Sequence, residues 1–342
     1  MAAMTRACYA TLAWILAVSY GCAGSARPVT TPQATPAATG VEESAGTAVS
    51  DARTLDALTG WFCPMHPDVT SDVAGKCKKC GMALLVGNPF ETREYILDFA
   101  TAPQAVRSGQ PFSMMFTVRN PRTGALVKDL AVIHDRPYHL FVVSQDMTSF
   151  QHIHPSVRPD GSWSVDVTLP QPGYYRVLSD FLPVGGSPQF LGRTLVTSDF
   201  DGDVLSQAAQ LQPDESLRKT VDGITAEVKL DPPKLIAGRN GHFSFTLTDA
   251  HTGTGVTDLQ PYLGAFGHTL VLSEDLLDYV HSHPTDEPDS DIARGLGGPR
   301  LSFEGYMPRA GRYRAWTQFL RKGQLTTFSF TFTVWTLEEA VR

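Results

Sequence analysis

The stretch HLFVVSQDMTSFQHIHP, residues 139–155, recurs later in the chain as HTLVLSEDLLDYVHSHP, residues 268–284. The match extends towards the N-terminus, so that residues 116–155 align without a gap with residues 245–284 at an offset of 129. Similarity at a fixed spacing over such a length indicates duplication of one structural unit. Farther on the offset becomes 138, which predicts an insertion of nine residues in the second copy, in or near the polar run DEPDSDIARGLGG.

Each copy has the sequence pattern of β structure. Residues 163–169, WSVDVTL, and residues 328–334, FSFTFTV, alternate apolar and polar side chains, which is the period of a strand with one buried face. Proline and glycine recur at intervals of about ten residues, as they do in antiparallel sandwiches. We therefore predict an all-β protein in which a small metal-knuckle module precedes two tandem immunoglobulin-like β-sandwich repeats.

Composition and spacing give the predicted domain boundaries. The predicted units are a signal peptide at 1–21, a disordered tether at 22–58, a heavy-metal-binding module at 59–88, β-sandwich repeats at 90–200 and 220–337, and a helical or loop-like linker at 201–219. The tether is rich in Ala, Thr, Ser and Pro and poor in large apolar residues, so it cannot bury enough surface to order itself. The net charge of −7, with no concentration of Lys and Arg, argues against a nucleic-acid-binding protein.

The N-terminal residues predict export from the cytoplasm. Residues 9–20, YATLAWILAVSY, form a mostly apolar run that follows Arg6 and is shorter than the ~20 residues a membrane-spanning helix needs. Cys22, directly after Gly21, resembles the lipidated cysteine of bacterial lipoproteins. Plain signal-peptide cleavage near Ala26 is the alternative. Both routes predict a protein of the periplasm or cell envelope. Lipidation of Cys22, the first route, is the only expected contact with the membrane.

The densest cluster of metal-ligating residues lies in the short module. Its segments CPMHP and GKCKKCGM supply a Cys₃His set that matches tetrahedral coordination, with ligands Cys63, His66, Cys77 and Cys80. Too few large apolar residues lie nearby to form an independent core, so the metal itself is expected to supply folding energy. A disulfide between two of the three thiols is the alternative in an oxidising compartment.

Two methionines beside these ligands bear on the choice of ion. Met65 and Met82 add thioethers, which together with thiolates favour soft ions such as Cu(I) or Ag(I) over Zn(II). Residues 62–84 closely resemble the heavy-metal-binding domain of bacterial copper- and silver-efflux adaptors and metal-transporting ATPases. The resemblance implies one bound heavy-metal ion and a role beside an efflux system. The duplicated β-domains loosely resemble copper-associated domains of the cell envelope.

Histidines recur at matched positions of the two copies. Each copy has a His-x-His pair whose side chains share one face of a strand, preceded by a histidine that a hairpin can bring alongside. The two predicted triads are His139, His152 and His154, and His268, His281 and His283. Three imidazoles suit Cu(II) or Zn(II), so the triads are candidate second and third metal sites. The alternative is a structural corner. We place His134, His242 and His251, which have no counterpart, on the surface or in loops.

Catalytic motifs are not evident. Neither copy has the cysteine a blue-copper site requires, and the chain has no phosphate-cradling loop or nucleophile elbow. Asp146 and Asp275 lie close enough in sequence to support the histidines, but no catalytic residue is assigned and we expect a protein that is not an enzyme. The sequence thus predicts an extracytoplasmic heavy-metal-binding protein that sequesters or hands over its ion. An envelope scaffold, whose small module only folds on or senses metal, is the alternative.

Overall fold

A computed structural model describes residues 60–88, 93–203, 205–285, 294 and 297–342, all within one compact unit, Ser50–Arg342. The predicted signal peptide, the whole predicted tether and the lipidation site Cys22 lie outside the described residues, as does most of the predicted insertion. Within the described part no helix is long and apolar enough to cross a membrane.

The small module is a three-stranded antiparallel sheet. Its strands are β1 (Gly60–Phe62), β2 (Thr70–Ser71) and β3 (Leu85–Gly87), with β1 in the centre. Beneath the sheet a small apolar cluster of Cys63, Cys77 and Leu84 packs with the partly buried Trp61 and Met65. This core contains two of the predicted ligands, as expected for a segment with too little apolar surface to fold by burial alone.

The first repeat is a sandwich of two four-stranded sheets. Its strands are β4 (Ile96–Ala102), β5 (Pro111–Arg119), β6 (Tyr138–Ser144), β7 (Phe150–Ile153), β8 (Ser156–Val157), β9 (Trp163–Thr168), β10 (Tyr174–Phe181) and β11 (Gln189–Val196). One sheet has the order β4-β5-β9-β8 and the other β11-β10-β6-β7. The alternating burial of β5 places Phe112, Met114, Phe116 and Val118 in the core between the sheets.

The second repeat has the same arrangement. Its strands are β12 (Arg218–Val221), β13 (Ile224–Asp231), β14 (Leu235–Ile236), β15 (Arg239–Asp249), β16 (Leu259–Gln260), β17 (His268–Ser273), β18 (Tyr279–Ser282), β19 (Arg300–Met307), β20 (Gly311–Arg321) and β21 (Gln324–Trp335). The order β13-β15-β19 repeats β4-β5-β9, and β21-β20-β17-β18 repeats β11-β10-β6-β7. The strand pairing therefore confirms two tandem immunoglobulin-like sandwiches. A short helix, α1 (Leu337–Ala340), capped by Thr336, follows β21.

The two repeats pack against each other through equivalent sheets. Apolar side chains from β6 and β10 of the first repeat and from β17 and β20 of the second form one shared cluster, which includes Phe141, Leu178, Leu272 and Trp316. The rings of Phe150 and Trp316 stack across this interface, with centroids 5.0 Å apart. Strands β6 and β17 are buried on both faces, because one face lies in the repeat's own core and the other in the interface.

The segment between the repeats also belongs to this interface. Its described residues contain one 3₁₀ turn, Leu205–Gln207, and otherwise have no regular structure before β12 begins at Arg218. Ala209 and Leu211 are buried in the shared cluster, and Gln207 accepts a hydrogen bond from the backbone N–H of Tyr174. The predicted linker is thus anchored to both repeats.

Candidate metal centres

The four predicted ligands of the small module converge. One ligand atom from each of Cys63, His66, Cys77 and Cys80 lies within 4.8 Å of the others. The Cys63 and Cys80 sulfurs are 3.6 Å apart, and His66 Nδ1 lies 3.7 Å from Cys63 Sγ and 3.6 Å from Cys77 Sγ. Tetrahedral coordination at metal–sulfur bonds of about 2.3 Å separates neighbouring ligand atoms by roughly 3.5–3.8 Å. The donor set and its spacing therefore fit a four-coordinate soft or borderline ion.

Backbone hydrogen bonds hold this knuckle in place. The N–H of Cys77 donates to the carbonyl of Met82 at 2.7 Å, and the N–H of Gly81 donates to the carbonyl of Cys77 at 2.9 Å. The N–H of Lys79 points at the Cys77 sulfur, 3.4 Å away. Gly81 has φ = +74°, which a residue with a Cβ rarely adopts, and it turns the chain directly after Cys80.

The thiols of the module are coupled to each other. All three are free rather than joined in a disulfide. The hydrogen bond between Cys63 and Cys80 lowers the pKa of Cys80 to about 5 and raises the pKa of Cys63 far above its ordinary value. The two thiols are thus coupled through this hydrogen bond, and both must lose their protons to bind a metal ion as thiolates.

The histidines of the two repeats form one cluster at the inter-repeat interface. Their rings interleave across the boundary: His139 and His281 have ring centroids 5.3 Å apart, and His152 and His268 6.0 Å apart. Two groups have ligand atoms within 4.8 Å of one another: His139, His152 and His281, and His268, His281 and His283. The predicted triad His268, His281 and His283 therefore converges as expected. The other prediction is corrected, because His281 of the second repeat joins His139 and His152 in place of His154. The reason is that β7 and β18, which carry His152 and His281, lie against the neighbouring repeat.

The hairpins do bring the first histidine of each copy alongside. His139 Nδ1 lies 3.2 Å from His152 Nε2, and the rings of His268 and His283 are 4.4 Å apart. His154 lies at the side of the cluster, its ring 5.0 Å from that of His139, but it belongs to neither group of converging nitrogens.

Each inner histidine except His283 has its outer nitrogen hydrogen-bonded. His139 Nε2 lies 3.0 Å from the carbonyl of Ile133, and His268 Nε2 lies 2.6 Å from the carbonyl of Tyr262. A carbonyl only accepts, so these nitrogens carry the protons. Two further contacts cross between repeats: His152 Nδ1 to Gln318 Oε1 at 3.0 Å, and His281 Nδ1 to Asp180 Oδ2 at 2.9 Å.

These two crossing contacts are equivalent under the internal repeat. His281 corresponds to His152 at the offset of 129, and Gln318 corresponds to Asp180 at the offset of 138. Each repeat thus supplies the polar partner of the other repeat's histidine. Asp180 and Gln318 were not predicted from the sequence. A usable signal was a polar side chain at the same position of the equivalent strand in both copies.

Of the sequence expectations about nearby residues, one is incomplete and one is wrong. His134 lies in a turn, as expected of a loop residue, but it is half-buried and packs in the cluster, with its ring 3.4 Å from that of His283 and nearly parallel to it. Its position in the second copy is Leu263, so the repeat gave no signal. Asp146 and Asp275 do not support the histidines, because their carboxylates accept hydrogen bonds from Ser144 and Ser273 in the adjacent turns. His242 and His251 are exposed, as expected.

Burial governs the charge of the cluster. Desolvation lowers the pKa of His139 to about 4 and the pKa values of His134 and His154 to about 3. These imidazoles are therefore neutral at pH 7 and keep a lone pair for a ligand. Burial alone would raise the pKa of Asp180, but its hydrogen bond and charge interaction with His281 outweigh burial and lower it.

A family model of the heavy metal binding domain matches residues 61–85. A second model, of a domain of unknown function (DUF8832), matches residues 94–195 and 219–336, which is more than half of the chain. The chain belongs to the DUF8832 family. The first match confirms the resemblance inferred from the cysteine and histidine spacing. Heavy-metal binding is thus indicated both by the family match and by the converging ligands.

The solved structures to which this chain is similar are distant matches. The adhesin InvE of Yersinia pseudotuberculosis is 8% identical, with 71% of this chain and 64% of that chain covered and a TM-score of 0.21. The α2-macroglobulin of Salmonella is 13% identical, with 78% and 17% covered and a TM-score of 0.23. This member of the DUF8832 family thus spans less than two thirds of the length of either protein. A search of curated proteins found no match.

One cavity connects the two candidate centres. It has a volume of about 810 Å³, and the small module lines one side with Met65, His66, Cys80 and Met82. The opposite side includes the cluster residues His134, His281 and His283 and the carboxylate of Asp180. His66 and Cys80 are only half-buried, so the knuckle is accessible from this cavity.

Proposed function

We propose that this protein binds a heavy-metal ion of the copper, silver or zinc group outside the cytoplasm and sequesters it or hands it over in envelope metal homeostasis or efflux. The observation that carries the proposal is the convergence of Cys63, His66, Cys77 and Cys80 within 4.8 Å. Three thiolates and one imidazole are a donor set built for such ions.

The surroundings of the knuckle favour a soft cargo ion. Met65 and Met82 line the same cavity as Cys80, so their thioether sulfurs lie along the route by which an ion would reach the knuckle. Thiolate and thioether ligands select Cu(I), and by the same softness Ag(I), over Zn(II). Zn(II) remains a competent occupant because it tolerates the same tetrahedral geometry.

Accessibility favours exchange over a purely structural role. Structural zinc sites are closed, with all four ligands turned inward. Here His66 and Cys80 are half-buried and border the cavity, which gives the ion a path in and out. The proposed role is therefore a store or carrier rather than an enzyme, with a component of an efflux system as partner.

The leader supports the proposed location. An apolar run of residues 9–20 followed by Cys22 supports export and a lipid anchor in the envelope. A protein in the envelope meets metal ions before they enter the cytoplasm. Sequestration or hand-over to an efflux system is useful in that compartment.

The proposal is tested by metal content. Purified mature protein is loaded with Cu(I) under reducing conditions and its bound metal is measured by mass spectrometry. Cys77→Ser should lose the ion of the knuckle, because three ligands remain and one of the thiolates is gone. Lys78→Ala, an exposed neighbour of the same turn, should keep it. Equal metal content in the two variants would overturn the site.

Ion preference is tested separately by competition. Cu(I) should displace Zn(II) from the wild-type knuckle when both are supplied with buffering chelators. A preference for Zn(II) would contradict the copper-group assignment while leaving the heavy-metal site intact. The alternative scaffold role makes a different prediction. Metal removal would then change only the order of the module, and the protein would not transfer its ion to an acceptor chelator.

A further inference from the structure

Two histidine nitrogens of the cluster, His139 Nδ1 and His152 Nε2, cannot form a hydrogen bond between neutral rings. His139 Nε2 carries its proton because it faces the carbonyl of Ile133, so His139 Nδ1 is an acceptor. His152 Nδ1 likewise faces Gln318 Oε1, which leaves His152 Nε2 as an acceptor. These two lone pairs point at each other across 3.2 Å.

A third imidazole nitrogen near them has no protein partner. His281 donates from Nδ1 to Asp180, and its buried Nε2 has no hydrogen-bond partner among the described residues. An unsatisfied buried polar atom costs about 1–3 kcal/mol, so a cluster of them requires an explanation. A cation shared by the three lone pairs provides one.

We propose that His139, His152 and His281 together bind one divalent ion of the Cu(II) or Zn(II) class, in a site that neither repeat can form alone. The 3.2 Å between His139 Nδ1 and His152 Nε2 agrees with the roughly 3.3 Å expected between two nitrogens bound to one tetrahedral ion at about 2.05 Å. The site is separate from the knuckle and does not depend on the function proposed for it.

The outer hydrogen bonds favour this triad over the alternative group of His268, His281 and His283. Metal-binding histidines almost always donate the second ring N–H to a carbonyl, carboxylate or similar group, which fixes the tautomer and the ring. All three proposed ligands have such a partner. His283 has none at either nitrogen, so its ring is not oriented by hydrogen bonds. His281 Nε2 can serve only one ion at a time, which makes one ion per cluster the expected stoichiometry.

The donor set selects the class of ion. Three neutral imidazoles without a thiolate suit Cu(II) and Zn(II), and among divalent ions affinity rises to its maximum at Cu(II). The soft Cu(I) proposed for the knuckle prefers sulfur. The carboxylate of Asp180 lies behind His281 and compensates part of the ion's charge. The cavity that borders both centres gives the ion access through His281.

The test uses the full chain with the knuckle disabled. In a Cys63→Ser/Cys77→Ser background, Cu(II) titration is followed by electron paramagnetic resonance. We expect one tightly bound equivalent whose spectrum shows nitrogen superhyperfine structure. This measurement needs no histidine substitution, so it stands even if a variant fails to fold. The absence of a nitrogen-coordinated equivalent, with only weakly adsorbed Cu(II), would overturn the proposal.

Two substitutions in the same background test the composite nature of the site. His139→Gln in the first repeat and His281→Gln in the second should each weaken Cu(II) binding by at least about 100-fold, more than loss of an outer partner does. His242→Gln, an exposed histidine, is the control and should bind like the parent. Loss of binding in only one of the two variants would place the ion within a single repeat and refute the shared site. Neither outcome bears on the thiolate knuckle, which is absent from all these proteins.

Discussion

The turn after Cys80 depends on a single glycine. Gly81 has φ = +74°, and an added Cβ would meet nothing within 4 Å, so Gly81→Ala changes backbone preference without a clash. Holding alanine in this left-handed conformation costs about 1–2 kcal/mol, which corresponds to roughly a 5- to 30-fold loss of metal affinity if the knuckle folds only around its ion. Zinc competition with a chromogenic chelator measures this loss.

Gly75→Ala is the matched control for that prediction. Gly75 lies in the same module, and its added Cβ would make an ordinary contact of 3.9 Å with Leu84 Cδ1. Its affinity should stay within about 2-fold of wild type, because no left-handed conformation is required there. Equal affinities for the two alanine variants would show that the turn does not limit metal binding.

Asp180 offers a second test at this scale, as a positioning residue for His281. Asp180→Ala removes the acceptor at His281 Nδ1 and should weaken Cu(II) binding about 10- to 100-fold, the usual cost of losing an outer partner. Asp180→Asn keeps an acceptor oxygen without the charge and should restore part of the affinity. Equal losses for Ala and Asn would mean that the hydrogen bond does not orient the ring.

The difference between the two centres explains what could be predicted residue by residue. Cys63, His66, Cys77 and Cys80 lie within one short turn-rich segment, so sequence spacing alone fixes which atoms meet. Asp180 meets His281 only because two sheets pack face to face, and no spacing along the chain encodes that contact. His134 enters the cluster for the same reason.

At the scale of elements, the interface between repeats is carried by strands that are buried on both faces. Such strands read as continuous apolar runs, whereas half-exposed strands alternate. The runs HLFVV in β6 and HTLVL in β17 have this property, so the sequence held a signal for a second buried face that the alternating strands elsewhere lacked. This signal did not identify the surface against which the second face packs, because an apolar run in a strand is compatible with many apolar partner surfaces.

Trp316 tests how much this interface contributes to stability. It is 4% exposed, lies in the shared cluster and stacks on Phe150. Trp316→Ala should lower the free energy of unfolding by about 3–5 kcal/mol, the range for large buried aromatic side chains. Denaturant unfolding followed by circular dichroism measures the change. Trp335→Ala, at a half-buried position at the end of β21, should cost clearly less, and equal costs would show that the interface is not a major source of stability.

At the scale of the whole molecule, the buried histidines make the metal-free protein sensitive to acid. In the unfolded chain an imidazole has a pKa near 6.5, whereas burial holds the pKa at about 4 for His139 and about 3 for His134 and His154. Between these values the unfolded state binds more protons, so stability falls as the pH falls. The groups facing these rings are the carboxylate of Asp180, the guanidinium of Arg136 and the ring of His281.

The measurement is the melting temperature in excess chelator across pH 7 to 4. It should be nearly constant above pH 6.5 and decrease steadily down to about pH 4. His139→Gln should reduce this slope, whereas His251→Gln, at an exposed position, should leave it unchanged. A melting temperature that is flat across this range, or a slope that His139→Gln leaves unchanged, would contradict the assignment of buried neutral imidazoles.

The tandem architecture as a whole was accessible from the sequence, because duplication preserves spacing and spacing sets the strand order. The sequence did not predict that the histidines of the two repeats form one cluster, because tandem repeats can pack through many faces. The equivalent contacts of His152 with Gln318 and His281 with Asp180 show which faces meet here. They make the pair of repeats, rather than one repeat, the unit that builds the second centre.

The most direct test of heavy-metal binding is anomalous diffraction from crystals of the mature protein grown with Zn(II) or Cu(I), measured on both sides of the metal absorption edge. We predict an anomalous peak about 2.3 Å from the sulfurs of Cys63, Cys77 and Cys80 and about 2.1 Å from His66 Nδ1. A knuckle without such a peak under saturating metal, or with two of these sulfurs joined in a disulfide, would contradict the central claim.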